Sequence, residues 1–140
     1  MQKKLKKLLN WQRKLEKFFE SYKSPLVKHS ETFVKVAEKY GLDYRLLPAI
    51  SCIESSCGKK LIEGSYNPFG WGIYGSNAIF FKDYDEAIET VGMGLKANYL
   101  DKGFDTPQKI APIYTPPNHM NWLSGVTFFM EKIETDGKDI

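Results

Sequence analysis

The chain has 140 residues and a net charge of +3, from 20 Lys and Arg against 17 Asp and Glu. This length fits a single domain, and a composition of 42% apolar and 26% charged residues excludes a chain that is disordered throughout. The apolar runs are too short to cross a bilayer as a helix, which excludes an obvious membrane-spanning segment.

Charge is distributed unevenly along the chain. Residues 1–30 carry nine Lys and Arg and two Glu, a net charge of +7, whereas residues 31–140 carry 11 basic and 15 acidic residues, a net charge of −4. We therefore divide the chain into a basic amphipathic helical arm, 1–24, and an acidic domain, 25–140. The arm is either a solvated helix face or a contact for an anionic polymer or a membrane surface. Nucleic-acid binding is not expected, because no basic patch continues into the domain.

Hydrophobic periodicity predicts three helices in the first part of the chain. The first covers about 2–22, and the second begins with Ser30 as its N-cap and ends at Gly41. The third is capped by Asp43 and ends near Cys57. The apolar face of the first helix consists of Leu5, Leu8, Leu15, Phe18 and Tyr22.

Residues 59–82 have a different composition, in which glycines and prolines punctuate a series of aromatic residues. Helix is implausible there, and we expect tight turns with short strands, one small hairpin among them. The predicted fold class is therefore mainly α, with a small Gly/aromatic loop or β insertion and an amphipathic N-terminal helix.

Three more helices are predicted after this insertion. Asp83 or Asp85 begins the fourth, which runs to about Leu100. The fifth begins at Asp105-Thr106-Pro107, because a capping residue followed by proline is a strong helix start, and it ends before Thr115. The sixth carries the apolar residues Trp122, Val126, Phe129 and Ile133.

The two cysteines, Cys52 and Cys57, are interpreted as small buried or half-buried thiols. On one helix, five residues place them about 140° apart around the axis and more than about 7 Å apart along it. That separation is hard to bridge, so a disulfide requires the helix to end before Cys57. A metal site needs more ligands than the chain groups together, and we expect no metal.

Glu54 is the main candidate for a catalytic residue. It lies in the last turns of an otherwise apolar helix, where the negative end of the helix dipole disfavours a second negative charge. The aromatic insertion that follows is expected to desolvate its carboxylate. Both effects raise the pKa of Glu54, and a Glu that is protonated near neutral pH can protonate a leaving oxygen. The alternative is a helix-terminal Glu exposed to water.

Two aromatic segments are predicted to form the walls of a binding cleft. Residues 66–74 place flat rings beside glycines, where backbone approaches a ligand closely, and such surfaces suit the C–H faces and hydroxyls of pyranose sugars. Residues 114–122, stiffened by a pair of prolines, form the opposite wall. Some of the rings are alternatively core residues. The candidate substrate-binding residues are Ser55, Asn67, Phe69, Gly70, Trp71, Gly72, Tyr74, Asn118 and Trp122.

Two short runs carry a resemblance to a known family: Glu54-Ser55-Ser56-Cys57-Gly58-Lys59 and Asn67-Pro68-Phe69-Gly70. With a downstream Tyr, they resemble the lysozyme-like superfamily over about residues 36–133. Its members include goose-type lysozymes, lytic transglycosylases and bacterial β-N-acetylglucosaminidases. The resemblance implies a lysozyme-like helical domain, with Glu54 as general acid/base and Tyr114 near its carboxylate.

The same resemblance implies an enzyme that cleaves β-1,4 bonds between amino sugars of peptidoglycan and uses no cofactor. We expect an extracellular or cell-envelope location. The lysine-rich start shows no secretion signal, so the sequence is either that of a cytoplasmic protein or a mature or trimmed form. The alternatives are a non-catalytic glycan-binding module on the same scaffold and an interaction protein that acts through its basic helix.

The chain departs from the family pattern in two places. Goose-type lysozymes and transglycosylases continue with Gly-Leu-Met-Gln where this chain has Gly70-Trp71-Gly72-Ile73-Tyr74, and the transglycosylase run Tyr-Asn-Ala-Gly is replaced by Tyr114-Thr115-Pro116-Pro117. Both departures point away from typical transglycosylases and leave the subfamily open. The sequence as a whole does not choose between water and the sugar's own 6-hydroxyl as the attacking group.

A second carboxylate is harder to place. Most glycosidases use two, and the candidates are Glu63 in the insertion and Asp83 or Asp85 after it. Capping of the fourth helix competes for Asp83 and Asp85. In this superfamily the substrate's N-acetyl group often stabilises the oxocarbenium ion, so a mechanism with Glu54 alone is preferred.

Overall fold

A computed structural model of the chain describes residues 2–72 and 79–138. The helices are α1 Gln2–Ser21, α2 Ser30–Tyr40, α3 Leu46–Ser55, α4 Tyr84–Asn98, α5 Pro107–Tyr114 and α6 His119–Asp136. Short 3₁₀ turns at Pro25–His29, Leu100–Lys102 and Pro116–Asn118 join them. The predicted mainly α class is confirmed. The insertion forms turns without a strand in 59–72 and 79–82, so the predicted short strands are absent there, and residues 73–78 of the insertion lie outside the described part of the chain.

The helix ends follow the predicted local signals closely. Gly41, with φ 69°, ends α2, and the Thr106 side chain accepts a hydrogen bond from the Lys109 N–H at the start of α5. The predicted capping role of Asp83 is confirmed, because its carboxylate accepts a hydrogen bond of 2.8 Å from the Glu86 N–H. These bonds satisfy backbone donors that have no partner within the helix.

Two predicted caps are wrong by one or two residues. His29 precedes α2 as its N-cap, and Ser30 is already helical, with its hydroxyl donating to the Val27 carbonyl. Arg45 occupies the position before α3, while Asp43 accepts a hydrogen bond of 3.0 Å from the Arg45 N–H. In both places a turn precedes the helix. As a result, α2 begins one residue earlier and α3 two residues later than the predicted caps imply.

The end of α3 overturns the interpretation of the cysteines as thiols. The helix ends at Ser55 because Ser56 and Cys57 adopt left-handed backbone conformations, with φ of 53° and 60°. This reversal brings Cys57 back to Cys52, and the two are joined by a disulfide. The condition for a bridge, a helix that ends before Cys57, is therefore met.

The second half of α1 belongs to the hydrophobic core. Leu15, Phe18 and Phe19 are fully buried, and the Phe19 ring lies 5.4 Å from that of Phe33 in α2. The first half extends beyond the core and leaves Leu5 57% exposed, although Leu5 was predicted on the apolar face. Leu8 is the first residue of α1 that packs against the core.

Ion pairs divide the basic residues of α1 into two groups. Lys4 and Lys7 contact Glu38 of α2, and Lys14 contacts Glu134 of α6 at 2.8 Å. The remaining basic residues on the outer face form no ion pair with any described residue. They are Lys3, Lys6, Arg13 and Lys17. None of the described helices, α1 included, is both long and apolar enough to span a membrane.

Candidate active site

Glu54 is the second-last residue of α3, where α6 crosses it. Its Oε2 accepts a hydrogen bond of 3.1 Å from the indole Nε1 of Trp122, a residue of α6 that is 2% exposed. The helices approach closely because α6 carries Gly125 at the crossing, where an added Cβ would lie 1.9 Å from the Ile53 Cδ1. Helix packing therefore places the indole beside the carboxyl.

Burial raises the pKa of the Glu54 carboxyl, and the hydrogen bond from Trp122 opposes that rise. Glu54 is nevertheless an exposed residue overall, so its carboxyl is only partly withdrawn from water. No described cation forms an ion pair with it. The direction of the shift agrees with the sequence prediction and favours the protonated acid at higher pH than for an ordinary Glu.

Gly70 brings the backbone of the insertion against this carboxyl. Its φ of 64° lies in the left-handed region, and a Cβ at this position would lie 2.6 Å from Glu54 Oε1. Any other residue here is both strained and in collision with the carboxyl. Gly70 therefore belongs to the site because the absence of a side chain leaves room for the Glu54 carboxyl.

Asn67, a predicted sugar-binding residue, holds the loop in shape. Its side chain is 3% exposed and donates hydrogen bonds to the carbonyls of Trp71 at 2.8 Å and Ile79 at 3.1 Å. Its Oδ1 accepts hydrogen bonds from the backbone N–H groups of Trp71 and Phe69. The polar atoms of Asn67 are therefore occupied by the backbone that forms the cleft.

Ser55 joins the same loop to α3. It is 4% exposed, and its Oγ lies 2.9 Å from the Ser51 carbonyl and 2.8 Å from the Pro68 carbonyl. The same oxygen accepts a hydrogen bond from the Gly58 N–H. This hydroxyl, predicted to bind substrate, therefore fixes the position of the loop relative to Glu54.

At the site, Tyr114 contacts neighbouring aromatic residues. Its hydroxyl donates a hydrogen bond of 2.7 Å to the Phe69 carbonyl, and its ring stacks on Trp122 at 5.0 Å. The half-buried Trp71 ring lies 6.1 Å from it. Phe69 itself is fully buried, so it contributes its backbone and not its ring. Tyr114 thus supports both the loop and the indole that contacts Glu54.

Two depressions flank Gly70. The first, of about 340 Å³, is lined by Gly70, Trp71, Gly72, Ile79, Asn98, Tyr99 and Tyr114. The second, of about 430 Å³, is lined by Glu54, Ser55, Lys60, Leu61, Ile62, Asn67 and Gly70. We call them the aromatic depression and the Glu54 depression. A larger one, of about 540 Å³, lies between α1 and the end of α6 and contains none of the predicted site residues.

The remaining predicted site residues lie elsewhere or outside the described chain. Tyr74 belongs to 73–78, which the structure leaves undescribed. Asn118 is exposed and accepts a hydrogen bond from Asn121. Glu63 is exposed, and neither it nor the cap residue Asp83 lines either depression, so Glu54 is the only acid among the described lining residues.

Sequence reasoning missed several lining residues. Lys60, Leu61 and Ile62 follow Glu54 closely in the chain, and their proximity was an available signal. Asn98 and Tyr99 come from the end of α4, and only the packing of α4 brings them to the cleft. Within 2–72 and 79–138, no cluster of His, Cys, Asp and Glu could hold a metal ion.

Comparison with known proteins adds no family to this description. The chain matches no protein-family model and no curated protein sequence. What the site does chemically must therefore be inferred from its own residues.

Proposed function

We propose that the protein is a glycosidase with a lysozyme-like helical domain that cleaves β-1,4 bonds between amino sugars of peptidoglycan. The proposal rests on Glu54, which is the only acid among the described residues that line the two depressions. Its carboxyl is crowded by Gly70, bonded by the Trp122 indole and raised in pKa by burial. A carboxyl of this kind is suited to general acid catalysis, and the resemblance of residues 36–133 to the lysozyme-like superfamily agrees with it.

In this mechanism Glu54 protonates the leaving glycosidic oxygen and then acts as a base. It removes a proton either from water, which gives a hydrolase, or from the 6-hydroxyl of the sugar, which gives a 1,6-anhydro product. With no second acid in the described lining, the acetamido group of the substrate stabilises the oxocarbenium ion, as in substrate-assisted glycosidases.

The aromatic depression provides the surface for a sugar ring. Trp71, Tyr99 and Tyr114 line it, and none of its described lining residues is charged. Flat rings with an amide at the rim, from Asn98, suit a neutral pyranose with C–H faces and polar edges.

Location and surface contacts form a second part of the proposal. The Cys52–Cys57 disulfide favours an oxidising compartment, consistent with an extracellular or cell-envelope protein. The outer face of α1, with Lys6, Arg13 and Lys17 free of ion pairs to described residues, is suited to an anionic wall polymer or membrane surface.

Incubation of the purified protein with insoluble peptidoglycan tests the function. We expect soluble fragments, and mass spectrometry of their ends distinguishes reducing sugars from 1,6-anhydro sugars. Protein that sediments with the wall without releasing fragments would instead be a non-catalytic binding module. Repeating the sedimentation in high salt measures the electrostatic contact of α1, since screening weakens a contact made by exposed charges.

Gly70→Ala is expected to lower kcat/KM by about 10- to 100-fold, since a methyl group here displaces the carboxyl of Glu54. Gly64→Ala is the matched control. Gly64 also has a positive φ, 77°, but an added Cβ would contact nothing within 4 Å. Backbone strain should lower the thermal stability of both variants. Only Gly70→Ala should also lower kcat/KM, because only its methyl group meets the Glu54 carboxyl. Equal losses of activity would show that the carboxyl tolerates the methyl group.

A further inference from the structure

The two depressions beside Gly70 differ in chemistry. The described lining of the aromatic depression is uncharged, whereas the Glu54 depression contains Lys60 with the apolar side chains of Leu61 and Ile62. Lys60 is the only cationic residue among the described residues that line either one. A ligand that crosses Gly70 therefore meets neutral rings on one side and a cation beside an apolar surface on the other.

The polar groups of the Glu54 depression are mostly occupied by the protein itself. The side chains of Ser55 and Asn67 are bonded to loop backbone, as described above. The ammonium of Lys60 forms no hydrogen bond or ion pair with any described residue, although its backbone N–H donates to the Ser55 carbonyl at 2.8 Å. The backbone of Lys60 is thus fixed beside the site while its charge remains available.

The neighbouring lysine shows the contrast. Lys59 Nζ donates a hydrogen bond of 2.7 Å to the Tyr22 carbonyl, and Lys59 lines neither depression. Lys60 does not pair with Glu54 either, since no ion pair joins them. A cation without a partner among the described residues, in a domain whose residues 31–140 carry a net charge of −4, is suited to an anionic group supplied by the ligand.

We propose that the Glu54 depression binds the carboxylate-bearing substituent of an acidic amino sugar, with Lys60 pairing with the carboxylate. Ile62, 45% exposed, and Leu61 would contact the apolar part of that substituent. A lactyl ether, which joins a methyl group to a carboxylate, has this combination. The inference rests on the proposed function and deepens it: the neutral sugar lies on the Trp71 side of the cleaved bond and the acidic sugar on the Lys60 side.

The test compares two substrates and three proteins. The substrates are peptide-free strands of alternating N-acetylglucosamine and N-acetylmuramic acid, and the same strands with their carboxylates converted to methylamides. The proteins are the wild type, Lys60→Met, which keeps the apolar stem without the charge, and Lys59→Met as the matched control. Thermal unfolding of each variant establishes that it is folded.

We expect wild type and Lys59→Met to prefer the acidic strands by about three- to tenfold in kcat/KM, the size of one charge-assisted contact that remains partly solvated. Lys60→Met should lose this preference, because its KM for the acidic strands rises to that for the blocked strands. A wild type without preference overturns the inference, as does a Lys60→Met variant that loses activity equally on both substrates.

Failure of the proposed function gives a different result. If the wild type cleaves neither strand, the glycosidase proposal fails, and the same proteins and strands are then compared by calorimetric binding. Tighter binding of acidic strands that depends on Lys60 and not on Lys59 would support the carboxylate site on its own. Equal binding of acidic and blocked strands would overturn it.

Discussion

Glu54→Gln is expected to lower kcat/KM on peptidoglycan by about 10²- to 10⁴-fold, the contribution typical of a general acid. Glutamine has nearly the same shape, and its carbonyl can still accept the hydrogen bond that Trp122 now donates at 3.1 Å. The fold should therefore be retained, with a similar thermal unfolding midpoint. What the amide cannot do is deliver a proton to the leaving oxygen. Release of soluble fragments, measured by mass spectrometry, is the readout.

Glu63→Gln is the matched control for this experiment. Glu63 is exposed in the same insertion and lines neither depression, so its replacement should leave release unchanged. Comparable losses in both variants would point to a mechanism with two carboxylates. Wild-type release by Glu54→Gln would remove Glu54 from the chemistry altogether.

The pH dependence follows from the same carboxyl. A general acid acts in its protonated form, so kcat/KM should fall as pH rises through the pKa of Glu54. Because burial raises that pKa, the fall should be centred above the ordinary Glu value of about 4.3. Trp122→Phe removes a hydrogen bond that lowers the pKa, so the fall should move to still higher pH. A move to lower pH would contradict this account of the site.

Phe19→Ala is expected to lower the free energy of unfolding by about 3–5 kcal/mol, the usual cost of emptying a buried aromatic site. Phe19 is fully buried and contacts the rings of Phe18 and Phe33, each at 5.4 Å. Denaturant unfolding gives the measurement. Leu5→Ala, in the same helix but 57% exposed, serves as the control and should change the value by less than about 0.5 kcal/mol.

The comparison of Phe19→Ala with Leu5→Ala also tests the division of the chain into an arm, 1–24, and a domain, 25–140. If α1 were an arm separate from a domain that begins at residue 25, Phe19→Ala would cost little more than Leu5→Ala. The burial of Phe19 predicts a large difference, because the second half of α1 completes the core. The basic outer face and the buried inner face of α1 then serve different purposes within one helix.

Helix positions were predictable because their signals are local. Gly41, Asp83 and Thr106 each act on backbone groups within a few residues, so the sequence around them is sufficient to place a helix end. Glu54 was identified for the same reason, as a single acid near the end of an otherwise apolar helix. The cysteine pairing was missed because it depends on left-handed backbone at Ser56 and Cys57, which no simple residue pattern indicates.

By itself, the sequence determined the helices, the aromatic insertion and the choice of Glu54 as the candidate acid, since periodicity and capping depend on near neighbours. Three features of the site became visible only in the tertiary structure. The Trp122 indole donates to the carboxyl of Glu54, 68 residues away, and the Asn67 side chain is hydrogen-bonded to the loop backbone. Lys60 lies beside the site without a partner among the described residues. The physical reason is that hydrogen-bond partners and burial are set by how helices pack, and packing joins residues that sequence spacing does not relate.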